Sequence, residues 1–528
     1  MKLTKNLFLL CCLGLSTLLY AEQKRIMVMS DLHVLDTTLF DANNPAPLLN
    51  DVKLGEHSAE LLDSAVSLIL ASKPDYVLIP GDLSYNGEKI SHLYVAAKLA
   101  ELEANGIAVY VVPGNHDVNN SSAKTYVSGE GQPTSTITDV EFESIYGEFG
   151  YNEAVKTLDY GTDSMNYMAY LSNDIALIAV NSTVYKTNTG ALTSGVLNFI
   201  KACAQEAIQS GHNNLLLMSH HMIMNHVDDQ SLLDPNHVGN QTQGYPALDE
   251  VYQTLEEAQI HAVFTGHTHI NSIAHLPQQS GDLYDISTGS LCAYASPIRT
   301  CVLETSTGDM TISSSEITKY HAKEMDRDSV LAQGAIRSAS QKGTSAIAAF
   351  RAKIEAIPFI GPILAKDIPN PTEAELRQII WDNMGKDLQK ALQDFSRGDE
   401  DVYCSDSTAY KNMLQATENF VLNFLGSELG AMLLAMDDQT ISSFTGGLNI
   451  KQFFASLYFN FVTIDGKQVH TADASCITLS DVNVLTGAKP SGIEDIGMLK
   501  PVIKCIRDNQ LIINVQGRTY TAAGQVLQ

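Results

Sequence analysis

Five apolar segments of the sequence each end in side chains that can bind metal ions or transfer protons. One of these segments ends in Pro113-Gly114 and is followed by an amide, an imidazole and a carboxylate, at Asn115, His116 and Asp117. Open α/β sheets place such groups at the carboxyl ends of their strands. The other four segments end in the same manner, in Asp31 and His33, Asp82, His220 and His221, and His267 and His269.

The chemistry of these side chains favours a metal site over a set of ordinary turns. A single Pro-Gly-Asn stretch is typical of a turn, and a single His beside a strand is most often structural. Five similar endings point to a bound ligand, because clustered polar groups are costly unless something binds them. Carboxylate, amide and imidazole donors without thiolates suit Mn, Fe, Zn or Co. The donors are too many for one ion, and a carboxylate such as Asp82 can bridge two divalent metal ions.

The order of these motifs resembles that of a known enzyme family. Asp-x-His, Gly-Asp, Gly-Asn-His-Asp, a His after an apolar strand and Gly-His-x-His follow one another over about residues 25–310. This order resembles the calcineurin-like metallophosphoesterase superfamily, and most closely its secreted bacterial-type, phosphodiesterase-like branch. The resemblance implies an α/β fold, built as a four-layer α/β/β/α sandwich, and hydrolysis of phosphate esters by a metal-bridging hydroxide.

The resemblance also implies a role for each residue. One metal ion would be held by Asp31, His33, Asp82 and His269. The second would be held by Asp82, Asn115, His220 and His267. His116 would act on the leaving group or on the phosphoryl oxygens, and Asp117 would position His116.

Two positions leave an alternative open. His220 and His221 compete for one ligand role, and the spacing after the strand favours His220. Tyr85 follows Asp82 by three residues, where the related purple acid phosphatases carry an iron-binding tyrosine. Those enzymes have Gly where this chain has His33, so we expect His33 to be the ligand. Candidate substrate-binding residues are therefore His221, Tyr85 and His226, which lies in the loop after the His220 strand.

The substrate is expected to be a small phosphate ester, and Asn-His-Asp in place of the purple-phosphatase Asn-His-Glu favours a phosphodiester. The first alternative is a phosphomonoesterase of the same fold. The second is a non-catalytic secreted binding protein, which the presence of every expected ligand disfavours. The net charge of −27 argues against binding to duplex nucleic acid. The sequence does not fix the natural substrate, the metal or the oligomeric state.

The N-terminus predicts a secretory signal peptide. Two lysines precede the apolar segment 7–19, and Ala21 precedes a polar start, so cleavage is expected after Ala21. The segment is shorter than the roughly 20 residues of a membrane span, and no later segment is apolar enough to span. We expect a secreted or periplasmic protein with at most one or two disulfides, of which Cys476–Cys505 is the pair to test.

The hydrophobic pattern divides the chain into four parts. We predict a signal peptide over residues 1–21, a catalytic domain over 22–317, a helical region over 318–460 and a small mixed or β region over 461–528. In the catalytic domain, helices are predicted at Ser58–Ser72, Ile90–Ala104 and Thr193–Ser210. In the helical region, a capping box at Thr372 precedes one apolar stripe, made of Leu376, Ile380, Met384, Leu388 and Leu392. A hairpin is predicted over 510–521.

Overall fold

The computed structural model describes residues 23–443 and 503–527, with gaps at 44–47, 49–52, 161–162, 225–237, 239–243, 270, 277, 294–295, 318, 321–322, 325–326, 359–360, 397–407, 438–439, 441–442, 508–509, 516–517 and 522–525. In chain order, the strands are β1 (Gln23–Val28), β2 (Tyr76–Pro80), β3 (Ala108–Val112), β4 (Lys124–Thr125), β5 (Gln132–Pro133), β6 (Lys156–Tyr160), β7 (Asp163–Tyr170), β8 (Ile175–Ala179), β9 (Thr183–Val184), β10 (Thr189–Gly190), β11 (Asn214–Met218), β12 (Ala262–Thr265), β13 (Ser272–Leu276), β14 (Leu283–Ser287), β15 (Pro297–Glu304), β16 (Asp309–Glu316), β17 (Lys319–Tyr320), β18 (Lys323–Glu324), β19 (Ile503–Arg507), β20 (Gln510–Val515), β21 (Arg518–Thr521) and β22 (Val526–Leu527). The α-helices are α1 (Ser58–Ser72), α2 (Lys89–Glu103), α3 (Asp139–Ile145), α4 (Ser194–Gln209), α5 (Leu248–Glu257), α6 (Arg327–Glu355), α7 (Gly361–Leu364), α8 (Glu373–Ser396), α9 (Thr408–Leu425) and α10 (Ser427–Leu434).

The first large sheet has the strand order β22-β21-β20-β19-β16-β15-β1-β2-β3. Strands β1, β2 and β3 are parallel, and α1 and α2 connect them as crossover helices. Helix α1 has the predicted bounds, and it ends where Lys73 takes a left-handed conformation ahead of Pro74. Helix α2 begins one residue before the predicted start. The carboxyl ends of three strands therefore meet at one edge of this sheet.

The second large sheet has the order β13-β14-β12-β11-β8-β7-β6. Its four central strands, β8, β11, β12 and β14, are parallel. The hairpin of β7 and β8 places one antiparallel pair inside the domain, as expected for a two-sheet fold. Helix α4 leads into β11 and spans Ser194–Gln209, one residue shorter at each end than predicted.

The two sheets pack face to face and are covered on their outer faces by helices. Alternate residues of each strand point into the core between the sheets, where Val28, Leu78 and Val112 meet Leu177 and Phe264. The intervening residues of the first sheet pack against α1 and α2, and those of the second sheet pack against α4 and α5. Strands that are buried on both faces read as continuous apolar runs, which is the pattern of this sequence. The predicted four-layer α/β/β/α sandwich is confirmed.

Long helices follow the sandwich, as predicted. Helix α8 packs against α6 and α9. The predicted capping box is present, since the Glu375 backbone N–H donates to Thr372 Oγ1 at 3.3 Å and Glu375 Oε2 accepts from the Thr372 N–H at 2.8 Å. The apolar stripe is buried at Leu376, Ile380 and Met384. The side chains of the two remaining stripe residues lie outside the described part of the structure.

The predicted terminal hairpin is present as β20 and β21. It does not stand apart from the sandwich, because β19 pairs antiparallel with β16 and adds these strands to the first sheet. Side-chain periodicity indicated the hairpin, but it carries no information about the strand that the hairpin would join.

In the described part of the chain, no helix is both long enough and apolar enough to cross a membrane. Cys203 and Cys301 are buried in the sandwich. Cys476 lies outside the described residues, so the predicted disulfide with Cys505 stays a prediction.

Burial of His92 makes the stability of the fold depend on pH. The ring lies on α2, where Nδ1 contacts the Tyr146 hydroxyl at 2.9 Å and Nε2 contacts the Asp117 carbonyl at 3.0 Å. Burial lowers the pKa of His92 to about 4. The folded state therefore resists protonation that the unfolded chain accepts below its usual pKa of about 6.5.

This depressed pKa predicts a loss of stability in acid. The His92 contribution is complete above pH 6.5 and is lost as pH falls towards 4, by about 3 kcal/mol in total. In urea denaturation, we expect the free energy of unfolding to fall less between pH 7 and pH 4 in His92→Gln than in the wild type. Other buried histidines titrate in both proteins, so the difference between the two isolates His92. Identical pH profiles would contradict the assignment.

Candidate metal centre

The loops that follow five strands meet at one edge of the sandwich. Strands β1, β2 and β3 of the first sheet and β11 and β12 of the second end here, as the sequence predicted. The Asp31 N–H donates to the Gly81 carbonyl at 3.1 Å, and the His33 N–H donates to the Asp82 carbonyl at 3.0 Å. These bonds join the first two loops into one rigid unit.

The backbone of these loops is strained. Five predicted ligand residues have a positive φ, at 50° for Asp31, 41° for His33, 52° for Asp82, 69° for His267 and 61° for His269. A non-glycine residue in this region costs about 1–3 kcal/mol, and such strain clusters at functional sites. The fold therefore holds these side chains in positions that relaxed loops would not give them.

The first set of ligand atoms comprises Asp31, His33 and His269, with Asp82 beside them. His33 Nε2 lies 3.0 Å from His269 Nε2. Asp31 Oδ1 is 3.5 Å from His269 Nε2 and 3.9 Å from His33 Nε2. Asp82 Oδ2 is 3.5 Å from His33 Nε2. Four donor atoms thus converge on one point.

The second set comprises Asn115, His220 and His267, and it shares Asp82 with the first. Asn115 Oδ1 lies 3.0 Å from both His220 Nε2 and His267 Nδ1. The two imidazole nitrogens are 3.3 Å apart. Asp82 Oδ2 lies 3.4 Å from His220 Nε2, so the same oxygen faces both sets. The structure brings together all seven residues that the sequence proposed as metal ligands.

These distances fit metal coordination. Two ligand atoms about 2.1 Å from one ion lie about 3.0–3.5 Å apart, as most of these pairs do. Burial lowers the pKa of His33 well below its usual range and that of His267 to about 3, which keeps both in the neutral form that binds metal.

The charge around His220 also fits a cation. Its Nδ1 lies 2.9 Å from the Pro80 carbonyl and donates to it, so Nε2 is directed at Asp82 and Asn115. Burial alone would lower the pKa of His220, but the carboxylates of Asp82 and Asp31 raise it to about 9. The pocket therefore favours a positive charge between His220 and Asp82, which a proton or a metal ion can supply.

His116 lies at the edge of the site, with its ring centroid 4.8 Å from that of His33. Its Nδ1 lies 2.8 Å from Asn86 Oδ1 and 3.0 Å from the Tyr85 carbonyl. Both partners accept hydrogen bonds, so Nδ1 carries the proton and Nε2 is left for a substrate. Burial, reinforced by the positive charge of Lys53, lowers the pKa of His116 to about 4.

Asp117 makes different contacts from those expected. Its carboxylate accepts hydrogen bonds from the backbone N–H groups of Gly114, Leu83 and Ser84, and from the Ser84 hydroxyl. It thereby ties the loop after β3 to the loop after β2. The positioning of His116, which the sequence suggested for Asp117, falls to Asn86 and the Tyr85 carbonyl instead.

The three candidate substrate residues differ in position. His221 is buried beside His220 and His267, and burial lowers its pKa well below the usual range. The Tyr85 ring is buried in an apolar cluster, with Lys53 Nζ 4.4 Å from its centroid. His226 lies outside the described residues. Sequence reasoning missed Asn86 and Lys53, because neither belongs to a motif.

The close approach of Gly114 to Asp82 predicts a selective defect. A Cβ on Gly114 would overlap both Asp82 Oδ1 and the Asp82 backbone nitrogen. We therefore expect Gly114→Ala to displace Asp82 and to lower the Mn retained per chain after dialysis, measured by elemental analysis. Gly106→Ala is the control, since a Cβ on this glycine would meet no atom within 4 Å. Equal Mn content in both variants would contradict the expectation.

Comparison with known proteins agrees with this geometry. The sequence model of the calcineurin-like phosphoesterase family matches residues 24–271, a segment that contains all seven proposed ligands. Comparison with curated proteins gives no match.

Similar solved structures include a dimetal phosphatase from Danio rerio, with 14% identity, a TM-score of 0.38 and coverage of 56% of this chain and 96% of that chain. GAP50, the anchor in the inner membrane complex of Plasmodium, has 11% identity, a TM-score of 0.31 and coverage of 57% and 86%. PhoD has 12% identity, a TM-score of 0.34 and coverage of 57% and 68%. Residues 24–271, a little under half of the chain, therefore match the calcineurin-like phosphoesterase family.

Proposed function

We propose that this protein is a secreted phosphodiesterase that uses two divalent metal ions. The observation that carries the proposal is the convergence of two ligand sets on Asp82 Oδ2, which lies 3.5 Å from His33 Nε2 and 3.4 Å from His220 Nε2. A carboxylate oxygen between two sets of oxygen and nitrogen donors suits a pair of ions that act on one phosphoryl group. The candidate ions are Mn, Fe, Zn or Co.

Each residue has one role in this proposal. Asp31, His33 and His269 would hold one ion, Asn115, His220 and His267 would hold the other, and Asp82 would serve both. When bound, such a pair of ions lowers the pKa of a coordinated water and neutralises charge on the phosphoryl oxygens. The protein keeps the ligands oriented through hydrogen bonds from behind, such as the 2.6 Å bond from Ser30 Oγ to Asp31 Oδ2.

His116 is the proposed proton donor. Its Nδ1 is held by Asn86 and the Tyr85 carbonyl, which directs Nε2 to the substrate side. The negative charge of a bound phosphate ester would raise the pKa of His116 from about 4, so the substrate itself promotes the protonated form. A protonated Nε2 can then donate to the departing oxygen.

The proposed preference for a phosphodiester and the proposed secretion of the protein rest on the amino-acid sequence. Asn-His-Asp and Asp-x-His support a diesterase, whereas the purple acid phosphatases have Asn-His-Glu and Gly in these places. The N-terminal residues 1–21 resemble a cleaved signal peptide. The division of the chain into four parts is also part of this proposal.

Lys53 supports an anionic substrate. It is buried near His33 and His116, where its charge adds positive electrostatic potential.

The deciding experiment compares hydrolysis of bis(p-nitrophenyl) phosphate and p-nitrophenyl phosphate by Mn-loaded protein. Faster turnover of the diester supports the proposal, and faster turnover of the monoester replaces it with a phosphatase. If two metal ions are bound and neither ester is hydrolysed, the non-catalytic binding protein becomes the better description.

The shared carboxylate gives the first prediction for this function. Asp82→Asn keeps the shape of the side chain but removes its charge, so we expect both bound Mn and turnover of either ester to be lost. Elemental analysis and initial rates measure the two effects on one sample. Full Mn occupancy in this variant would argue against a shared ligand.

Substitution of His116 is expected to separate metal binding from turnover. His116→Ala removes a proton donor but no metal ligand, so Mn content should stay at the wild-type level while the turnover number falls about 100-fold to 10,000-fold. Asn86→Ala should give a smaller loss, because the imidazole remains but is free to rotate. Undiminished turnover in His116→Ala would remove this residue from the mechanism.

A further inference from the structure

His221 occupies a position beside the second ligand set that no proposed metal ligand fills. Its ring is fully buried, with its centroid 4.3 Å from that of His267 and 4.9 Å from that of His220. One ring nitrogen from each of the three histidines lies within 4.8 Å of the others. The face of the ring is packed against Gly190, where a Cβ would lie 2.7 Å from His221 Cγ and Cδ2. The imidazole is therefore fixed in place.

The hydrogen bonds of Ser182 determine which nitrogen of His221 carries the proton. The Ser182 hydroxyl oxygen accepts from the His221 backbone N–H at 2.9 Å and lies 3.0 Å from His221 Nδ1. Ser182 is itself fully buried, and within the described residues this hydroxyl has no acceptor other than Nδ1. A buried hydroxyl proton needs an acceptor, so the hydroxyl donates to Nδ1. Neutral His221 then carries its own proton on Nε2.

His221 Nε2–H is consequently a buried donor, and it has no partner within the described part of the chain. Buried donors are rarely left unpaired unless a ligand completes them. A protonated nitrogen cannot coordinate a metal ion, so the missing partner must be an acceptor. The proposed function assigns a metal ion to His220 and His267, and a phosphoryl oxygen of the substrate would be drawn to that ion.

We infer that His221 Nε2–H donates a hydrogen bond to a phosphoryl oxygen of the substrate held at the second ligand set. This inference rests on the proposed function, since it assumes a phosphate ester at this edge of the sandwich. It makes His221 a substrate-binding residue, and it makes Ser182 a positioning residue that fixes the tautomer of His221. It also explains why a second imidazole follows the ligand His220 directly.

Binding of inorganic phosphate tests this role without requiring turnover. The protein is loaded with Zn, and phosphate affinity is measured by calorimetry for wild type, His221→Phe and His221→Gln. Phe keeps a flat ring but lacks the donor, so we expect phosphate to bind about tenfold or more weakly. The amide nitrogen of Gln lies close to the position of imidazole Nε2, so this variant should regain most of the affinity.

The matched control is His212→Phe. His212 is also a buried histidine with an unpartnered Nδ1 in the described structure, but it stacks on Tyr170, before β11 rather than after it. This variant should bind phosphate as wild type does. The Zn content of every variant is measured in parallel, and we expect His221→Phe to retain the wild-type content.

A measurement on the unaltered protein covers the case in which His221→Phe fails to fold. In Zn-loaded protein labelled with 15N-histidine, His221 should show the Nε2–H tautomer, and its Nε2 signal should shift when phosphate is added. The opposite tautomer, or a signal that phosphate leaves unchanged, would overturn the inference.

The outcomes separate this inference from the proposed function. Unchanged phosphate affinity in His221→Phe, with wild-type ester hydrolysis intact, would overturn the inference alone. Loss of Zn in His221→Phe would also overturn it, by making His221 a metal ligand. Weaker phosphate binding in a protein whose wild type hydrolyses neither ester would support the inference and reject the enzyme.

Discussion

The site depends on one buried carboxylate that faces two groups of imidazoles. Asp82 Oδ2 lies within 3.5 Å of nitrogens from both ligand sets, and the Asp82 side chain is buried. Burial opposes the charge on Asp82, yet His220 and its other histidine neighbours lower the pKa of this carboxyl well below its usual range. A buried negative charge is tolerated only when positive charge or hydrogen bonds accompany it. The surrounding loops can be understood as the means of holding Asp82 ionised between the imidazoles of the two ligand sets.

This requirement explains the strained backbone. Five ligand residues with positive φ represent a total cost of roughly 5–15 kcal/mol, comparable with the whole stability of many domains. Such conformations persist because the strands behind them are buried on both faces and cannot shift to relieve the strain. Asp117 contributes by tying the loops after β2 and β3 together through three hydrogen bonds. Rigidity in the sandwich and strain at its edge are therefore linked.

Local patterns in the sequence were sufficient to locate the strands and the polar residues at their ends, whereas the four-layer sandwich and the ligand roles were implied by the resemblance to a known family. Apolar runs identify strands, and the first polar residues after them must lie at the strand ends. The sequence could not reveal contacts between distant side chains that carry no periodicity. Asn86 holds His116 through one hydrogen bond, and Ser182 contacts His221 through two, and all three depend on the register of neighbouring loops. The same limit applies to the pairing of β19 with β16, since the side-chain pattern of a strand does not identify the strand with which it pairs.

The division of the ligands between the two sheets has a mechanical consequence. Asp82 and Asn115 follow strands of the first sheet, whereas His220 and His267 follow strands of the second. An ion bound by these four residues would be a cross-link between the sheets. It would add to a core that is held by apolar contacts and by hydrogen bonds such as the one from the Tyr167 hydroxyl to the Val111 carbonyl. Its binding free energy adds to the resistance of the sandwich against opening at that edge. Removal of the ion by a chelator would therefore loosen the edge that carries the chemistry, while the opposite edge of the sandwich kept its packing.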